Sequence, residues 1–374
     1  MNSRPLLPAT LKRRTAEWAF PASLAILVVG WIFKPAIGAG AIPGAALVGA
    51  FVGFFLGALA AAFAAVRHAE HLAHRFGEPY GTLILTLSAI SLEVATVITV
   101  MLHGKDDPLF ARDTLFSVLM IVMGGILGVS LLVGGLKHHE QGYNLQGAKT
   151  FLSVLIPLAV IALVLPRFTV GGGEGVHPFG EAIFLIVICL LLYGVFIVVQ
   201  TRSHASYFIA TDAAASEVAA ASPPHGWPYH SVMLVVYLLL VVLTAKLFAL
   251  PLDIGLDRTG LPSELGALAV AILVLAPEAM AAISAARTNQ MQRSVNIGLG
   301  TALSTVALTV PAVLCIDLVT NHAAFLGLAA GPMVLLLLTF GVSILTFSGG
   351  RTNMLQGLVH IALFLTYIVL IFSP

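Results

Sequence analysis

Two stretches decide the fold: YGTLILTLSAISLEVATVITVML (80–102) and LGALAVAILVLAPEAMAAISAA (265–286). Each is long enough, as a helix, to cross the roughly 30 Å hydrocarbon core of a bilayer. Each is predominantly apolar and carries one ionisable acidic residue near its middle, Glu93 in the first and Glu278 in the second. A charge at that depth costs at least roughly 2.5–3.5 kcal/mol on insertion scales. Such a residue faces the bundle interior or a wet cavity, or it carries a proton. A neutral glutamate bonded to a neighbouring helix is the bland alternative, and two glutamates in comparable settings weigh against it.

The rest of the chain has the same character. Of its 374 residues 59% are hydrophobic and 9% charged, where soluble domains carry roughly 25% charged residues. Mean hydropathy is +1.02. So few charges cannot cover a water-exposed surface of this size, which excludes a soluble enzyme. A net charge of +1 gives no reason to expect nucleic acid as a partner. Cys189 and Cys315 both lie inside apolar blocks and are expected to be packing residues, not a disulfide or metal pair.

Eleven apolar blocks read as spans: 19–35, 42–66, 80–102, 113–136, 150–166, 179–200, 229–250, 265–286, 295–320, 324–347 and 354–373. The longest polar gap, 201–228, is rich in Ala, Ser and Pro and reads as a flexible linker. With the N-terminus placed in the cytoplasm, twelve Lys and Arg fall on the inner side, Arg67, Lys137, Arg287 and Arg293 among them, and six on the outer side. That bias predicts N-in and C-out in an inner membrane. Setting the first span aside leaves ten, which the linker divides into five and five. Two five-span units in one chain must have opposite topologies, the arrangement of many transporters with sites at the repeat interface. The expected fold is an all-α membrane protein: an N-terminal segment with an extra first helix (1–41), a first five-helix repeat (42–200), a linker (201–228) and a second repeat (229–374).

Without the first span, Glu93 and Glu278 each fall in the second span of their repeat. Ser91 lies beside Glu93. Pro277 precedes Glu278 and leaves the carbonyl of Leu273 without its helical donor. Carboxylates beside a freed carbonyl are hard oxygen ligands, suited to Ca²⁺, Na⁺ or K⁺. The next span in each repeat adds Ser117 with Gly124, Gly125 and Gly128, and Gly300 with Thr301, Ser304 and Thr305. The glycines read mainly as close helix packing. The hydroxyls of Ser117, Thr301 and Ser304 can serve packing or ligation. The run HAEHLAH (68–74) has a spacing compatible with zinc, but reads better as an interfacial helix with snorkelling Arg67 and Arg75. Glu78, in GEPYG, reads as a helix-start residue. The acidic residues at the outer ends, Asp106, Asp113, Glu174 and Asp257 among them, read as a solvated face. There is no Walker motif and no nucleophile elbow.

At these residues the chain resembles the ChaA-type calcium/proton antiporters of the Ca²⁺/cation antiporter superfamily. GEPYGTLILTLSAISLEV (77–94) is similar to the family's first alpha-repeat helix, PEAMAAISAARTNQMQRSVNIGLGTALSTVALTVP (277–311) to the second repeat, and SGGRTNMLQGLVHIALFLTYI (348–368) to the closing helix. The resemblance implies ten core helices in two inverted repeats plus one N-terminal helix, and cation export driven by proton influx. It implies no permanently bound cofactor; the ligands are the transported Ca²⁺, Na⁺ or K⁺, and H⁺. Glu93 and Glu278 match the family's two central acidic residues, which hold cation or proton alternately. Ser304 stands where the vacuolar branch has a glutamine. Ala89-Ile90 and Val274-Leu275 stand where that branch has Gly-Asn, so one amide ligand is missing from each repeat, which favours weaker Ca²⁺ binding and admits Na⁺ or K⁺. The competing readings are a cation channel with acidic pore residues and no proton coupling, and an intramembrane hydrolase, for which no nucleophile or metal set is present.

Overall fold

In most of the apolar blocks the backbone closes its own hydrogen bonds as helix, as a lipid environment demands. The computed structural model describes residues 18–40, 42–76, 80–103, 107–169, 179–209, 226–320 and 324–372. The helices are α1 (Ala19–Gly38), α2 (Gly44–Phe76), α3 (Tyr80–His103), α4 (Phe110–His138), α5 (Leu145–Leu163) and α6 (Phe179–Ser203), then α7 (Trp227–Thr259), α8 (Glu264–Arg287), α9 (Met291–Thr320), α10 (Ala330–Thr346) and α11 (Met354–Ile371). Among the described residues nine of them are long and apolar enough to cross a membrane; α3 and α10 contain shorter apolar segments, Thr86–Leu102 and Ala330–Thr346.

The chain is an all-α membrane protein of two inverted five-helix repeats, α2–α6 and α7–α11, preceded by α1. The repeats match in detail. The first helix of each has 33 residues and the second has 24. The third helix of each, α4 and α9, is interrupted by a π-helical segment, Ile121–Ile126 in one and Thr305–Thr309 in the other. One-turn π segments leave main-chain groups off the regular ladder and often occur at functional sites.

At roughly 50 Å each, α2 and α7 are longer than the hydrocarbon core. They pack against one another along their length, with α1 and α3 beside them. This extension corrects the reading of HAEHLAH. The segment is not a separate interfacial helix but the last turns of α2. His68 is buried, and its Nδ1 lies 2.9 Å from Nδ1 of His230 in the first turns of α7. His71 packs its ring on His230 at 4.6 Å. The sequence gap between 71 and 230 hides this pairing.

A second core gathers α4, α5, α8, α9 and α11. Here α4 and α11 approach closely through glycine. A methyl placed on Gly128 would sit 2.9 Å from the main-chain nitrogen of Ile361, so Gly128→Ala is expected to force the helices apart. Overpacking of this kind costs about 1–3 kcal/mol, and thermal unfolding of the detergent-solubilised variant measures it.

Three further expectations are corrected. Residues 324–329 were expected to be helical but run in irregular backbone before α10. They are apolar because they are buried, with Leu326 and Leu328 at the core. Their main chain bonds to neighbouring turns, Phe325 N to Pro108 O and Leu328 N to Leu163 O, both within 2.9 Å. The predicted linker is ordered at its start: α6 reaches Ser203, and buried Phe208 packs on Phe151 and Phe196. The side-chain amide of Asn296 donates to Phe208 O at 2.6 Å. Cys189 is buried as expected, but Cys315 is exposed on α9. The N-terminal charges up to Glu17, Glu78, Asp106, Glu174, Asp212, Glu217 and the side chain of His74 lie outside the described residues.

The turn after α4 and the turn before α11 are tied together. Gln141–Gly142 pairs antiparallel with Arg351–Thr352, and the Tyr143 hydroxyl donates to Gly349 O. Burial pushes the Tyr143 phenol up to about 12, so this donor keeps its proton throughout the alkaline range of a transport assay.

Candidate functional site

Glu93 and Glu278 occupy the same point, to within a residue, along two 24-residue helices that run in opposite directions. The two carboxyl groups lie close enough for their charges to interact. Around them the two halves differ.

Glu93 is buried, with 4% of its surface exposed. Both its carboxylate oxygens accept hydroxyl hydrogen bonds from α9: Thr305 Oγ1 donates to Oε2 at 2.8 Å and Thr309 Oγ1 to Oε1 at 2.9 Å. The two threonines are fully buried and lie one turn apart in the π segment. Their i, i+4 spacing sets both hydroxyls on one face of the helix, where they reach one carboxylate. Hydrogen bonds to an ionised acceptor are worth roughly 1.5–3 kcal/mol each, so the pair goes far toward offsetting the burial of charge.

Glu278 sits on a helix with different neighbours. Its helix, α8, packs against α4 and the π segment Ile121–Ile126. That segment reads Ile-Val-Met-Gly-Gly-Ile and offers no side-chain donor. The Glu278 Oε2 atom is buried with no hydrogen-bond partner among the described residues. The π segment is held from its other side. His360 of α11, fully buried, lies with Nδ1 2.6 Å from Met123 O and Nε2 3.1 Å from the Thr346 hydroxyl. In the neutral tautomer this makes Nδ1 the donor to the carbonyl.

The remaining expected ligands divide. Ser304 is buried on α9, next to Thr305, and donates to Thr301 O at 3.0 Å; Thr301 is half-buried. Ser117 is buried but engaged elsewhere: its hydroxyl donates to Asp113 O at 2.6 Å and lies 2.5 Å from the Tyr367 hydroxyl. Ser91 is exposed. Two residues along a helix turns a side chain by about 200°, so it points away from the Glu93 carboxylate. Leu273 is fully buried, and α8 continues through Pro277 to Arg287 without interruption. Thr309 was missed by sequence reasoning, and Thr305 was noted only as a small polar neighbour. Their i, i+4 spacing in TALSTVALT (301–309) was the available signal.

Two buried carboxyl groups, one clasped by hydroxyls and one with an unshared oxygen, are hard oxygen ligands able to take a cation or protons. Comparisons with known proteins bear on the cargo. The model of the sodium/calcium exchanger protein family matches residues 46–202 and 229–373. The sodium-potassium/proton antiporter ChaA of Escherichia coli (strain K12) is 40% identical over 314 residues, covering 82% of this chain and 84% of that one. Among solved structures, native YfkE superposes with a TM-score of 0.71 at 21% identity, covering 95% of this chain and all of the other. The H⁺/Ca²⁺ exchanger CAX superposes with a TM-score of 0.67 at 14% identity, covering 95% and 89%. The helix order, the inverted repeats and the sequence match agree, and the chain belongs to the sodium/calcium exchanger protein family.

Proposed function

We propose that this chain is a secondary active cation/proton antiporter of the inner membrane, exporting Ca²⁺, and also Na⁺ or K⁺, in exchange for H⁺ by alternating access around Glu93 and Glu278. The observation that carries this reading is the inequivalent carboxylate pair at the junction of two inverted repeats: Glu93 held by Thr305 and Thr309, Glu278 with a buried oxygen left unshared. Cation or protons compensate the pair; leaving it empty sets two like charges together away from water, the costly state. A carrier that reorients loaded with either, and rarely empty, couples the two fluxes. The Lys and Arg bias supports an N-terminus in the cytoplasm and a C-terminus outside. Residues 42–200 and 229–374 act as the two repeat units, with 201–228 joining them.

The cargo follows from the oxygen count. Ca²⁺ usually takes 6–8 oxygens. With Ile90 and Leu275 in place of the amides seen in the vacuolar branch, carbonyls, hydroxyls and water must supply more of them. Modest Ca²⁺ affinity and measurable Na⁺ or K⁺ exchange are expected, in line with the name carried by the E. coli relative. Transport of radioactive calcium into everted vesicles, with Na⁺ or K⁺ added in excess, checks this. Competition by either ion is the expected result; calcium uptake untouched by both contradicts it. Because protons and cations share the carboxylates, exchange should rise with pH as protons leave the competition. Flux that neither saturates nor responds to pH would instead identify a channel.

A further inference from the structure

A groove of about 470 Å³ lies between the ends of α4 and α8, lined by Lys137, Met280, Ile283, Ser284, Arg287 and Thr288. We propose that it binds an anionic phospholipid, with the phosphate between Lys137 and Arg287 and an acyl chain along Met280 and Ile283.

Three features carry this. The first is charge. The two lining residues that ionise are both cationic, and both are exposed. The nearest acidic side chain in sequence, Glu140, is already paired with Arg351 at 3.2 Å. The second is the state of the helix end. The C-terminus of a helix repels anions, but here Arg287 O accepts from Lys137 Nζ at 2.9 Å and lies 3.1 Å from His138 Nε2. That cap offsets the negative end of α8 and fixes the Lys137 ammonium over the groove, with two N–H donors still to give. The third is depth. Met280, 62% exposed, lies seven residues before Arg287, about 10 Å further along the helix. The groove therefore changes from cationic and hydroxyl-bearing at the helix ends to apolar toward the middle of the membrane, the profile of a phospholipid from headgroup to chain. Basic grooves between helix ends on the cytoplasmic side suit acidic headgroups, and the Lys and Arg bias assigns these ends to that side.

The test compares thermal unfolding of the full chain, followed by circular dichroism, in nanodiscs of phosphatidylcholine and in nanodiscs containing phosphatidylglycerol. Binding to the folded state raises the midpoint, here by about 3 °C or more with phosphatidylglycerol. Lys137→Gln/Arg287→Gln should lose most of that gain. Arg287→Gln alone keeps the Lys137 cap and should lose about half, which preserves the test if the double variant folds poorly. Arg293→Gln removes an exposed cation from the same membrane side, outside the groove, and should keep the full gain. The proposal is overturned if the Gln variants respond to phosphatidylglycerol as the wild type does. Equal loss in Arg293→Gln also overturns it, since the effect is then general attraction to the leaflet. So does an equal rise with inorganic phosphate in phosphatidylcholine discs, since the site is then one for a free anion.

Discussion

Glu278→Gln, correctly inserted, is expected to lose cation/proton exchange by about a hundredfold or more, a barrier increase of roughly 2.7 kcal/mol. The amide imitates a permanently protonated carboxyl. It cannot release a proton to admit a cation, and it removes a carboxylate that has a buried, unshared oxygen. Folding should survive, because a neutral amide costs less to bury than a charge. Glu93→Gln should lose exchange to a similar extent, with a further consequence for the fold. Its amide nitrogen cannot accept from Thr305 or Thr309, so one hydroxyl must turn from donor to acceptor, and neither bond is any longer to a charged oxygen. Glu93→Gln is therefore expected to unfold at a lower temperature than Glu278→Gln, while both are transport-dead. Proton movement in vesicles and thermal unfolding of the purified variants read the two effects separately.

The double variant Thr305→Val/Thr309→Val is expected to reduce exchange at least tenfold with both glutamates intact. Valine keeps the shape of threonine and removes the hydroxyl, so Glu93 remains buried without its two donors. Each lost bond to an ionised carboxylate removes roughly 1.5–3 kcal/mol from the charged form. The charged form is the one that receives a cation, so the penalty falls on the cation-loading step and appears as a raised half-saturating cation concentration. Thr305→Ser/Thr309→Ser retains both hydroxyls and should retain most of the transport. Comparable loss in the Ser and Val pairs would mean that the threonine methyl groups, not the hydroxyls, matter at this position.

The scaffold was legible because lipid imposes a simple rule on sequence. Stretches of roughly twenty predominantly apolar residues gave the spans, and their count about the polar gap gave the repeat symmetry. Where polar groups satisfy one another at a distance, sequence spacing says little. His68 and His230 pair across 162 residues. Ser117 is spent on Tyr367 across 250 residues. The π segments arise from one extra residue wound into a turn, and neither Met-Gly-Gly nor Val-Ala-Leu announces it. Residues 324–329 mislead for another reason: burial needs apolar side chains whether the backbone is helical or extended, and hydropathy reads only the burial.

In the proposed exchange one pair of carboxylates serves cation and proton in turn. Everted vesicles energised to an acidic interior test it most directly, reading the interior pH as Ca²⁺, Na⁺ and K⁺ are added separately. Wild-type protein should discharge the gradient on addition of a transported cation, saturably and faster at higher pH. Glu93→Gln and Glu278→Gln, present at equal levels, should leave the gradient intact with all three. Near wild-type discharge by either variant would show that its glutamate is not part of the shared site, and the assignment of the exchange to this pair would be wrong.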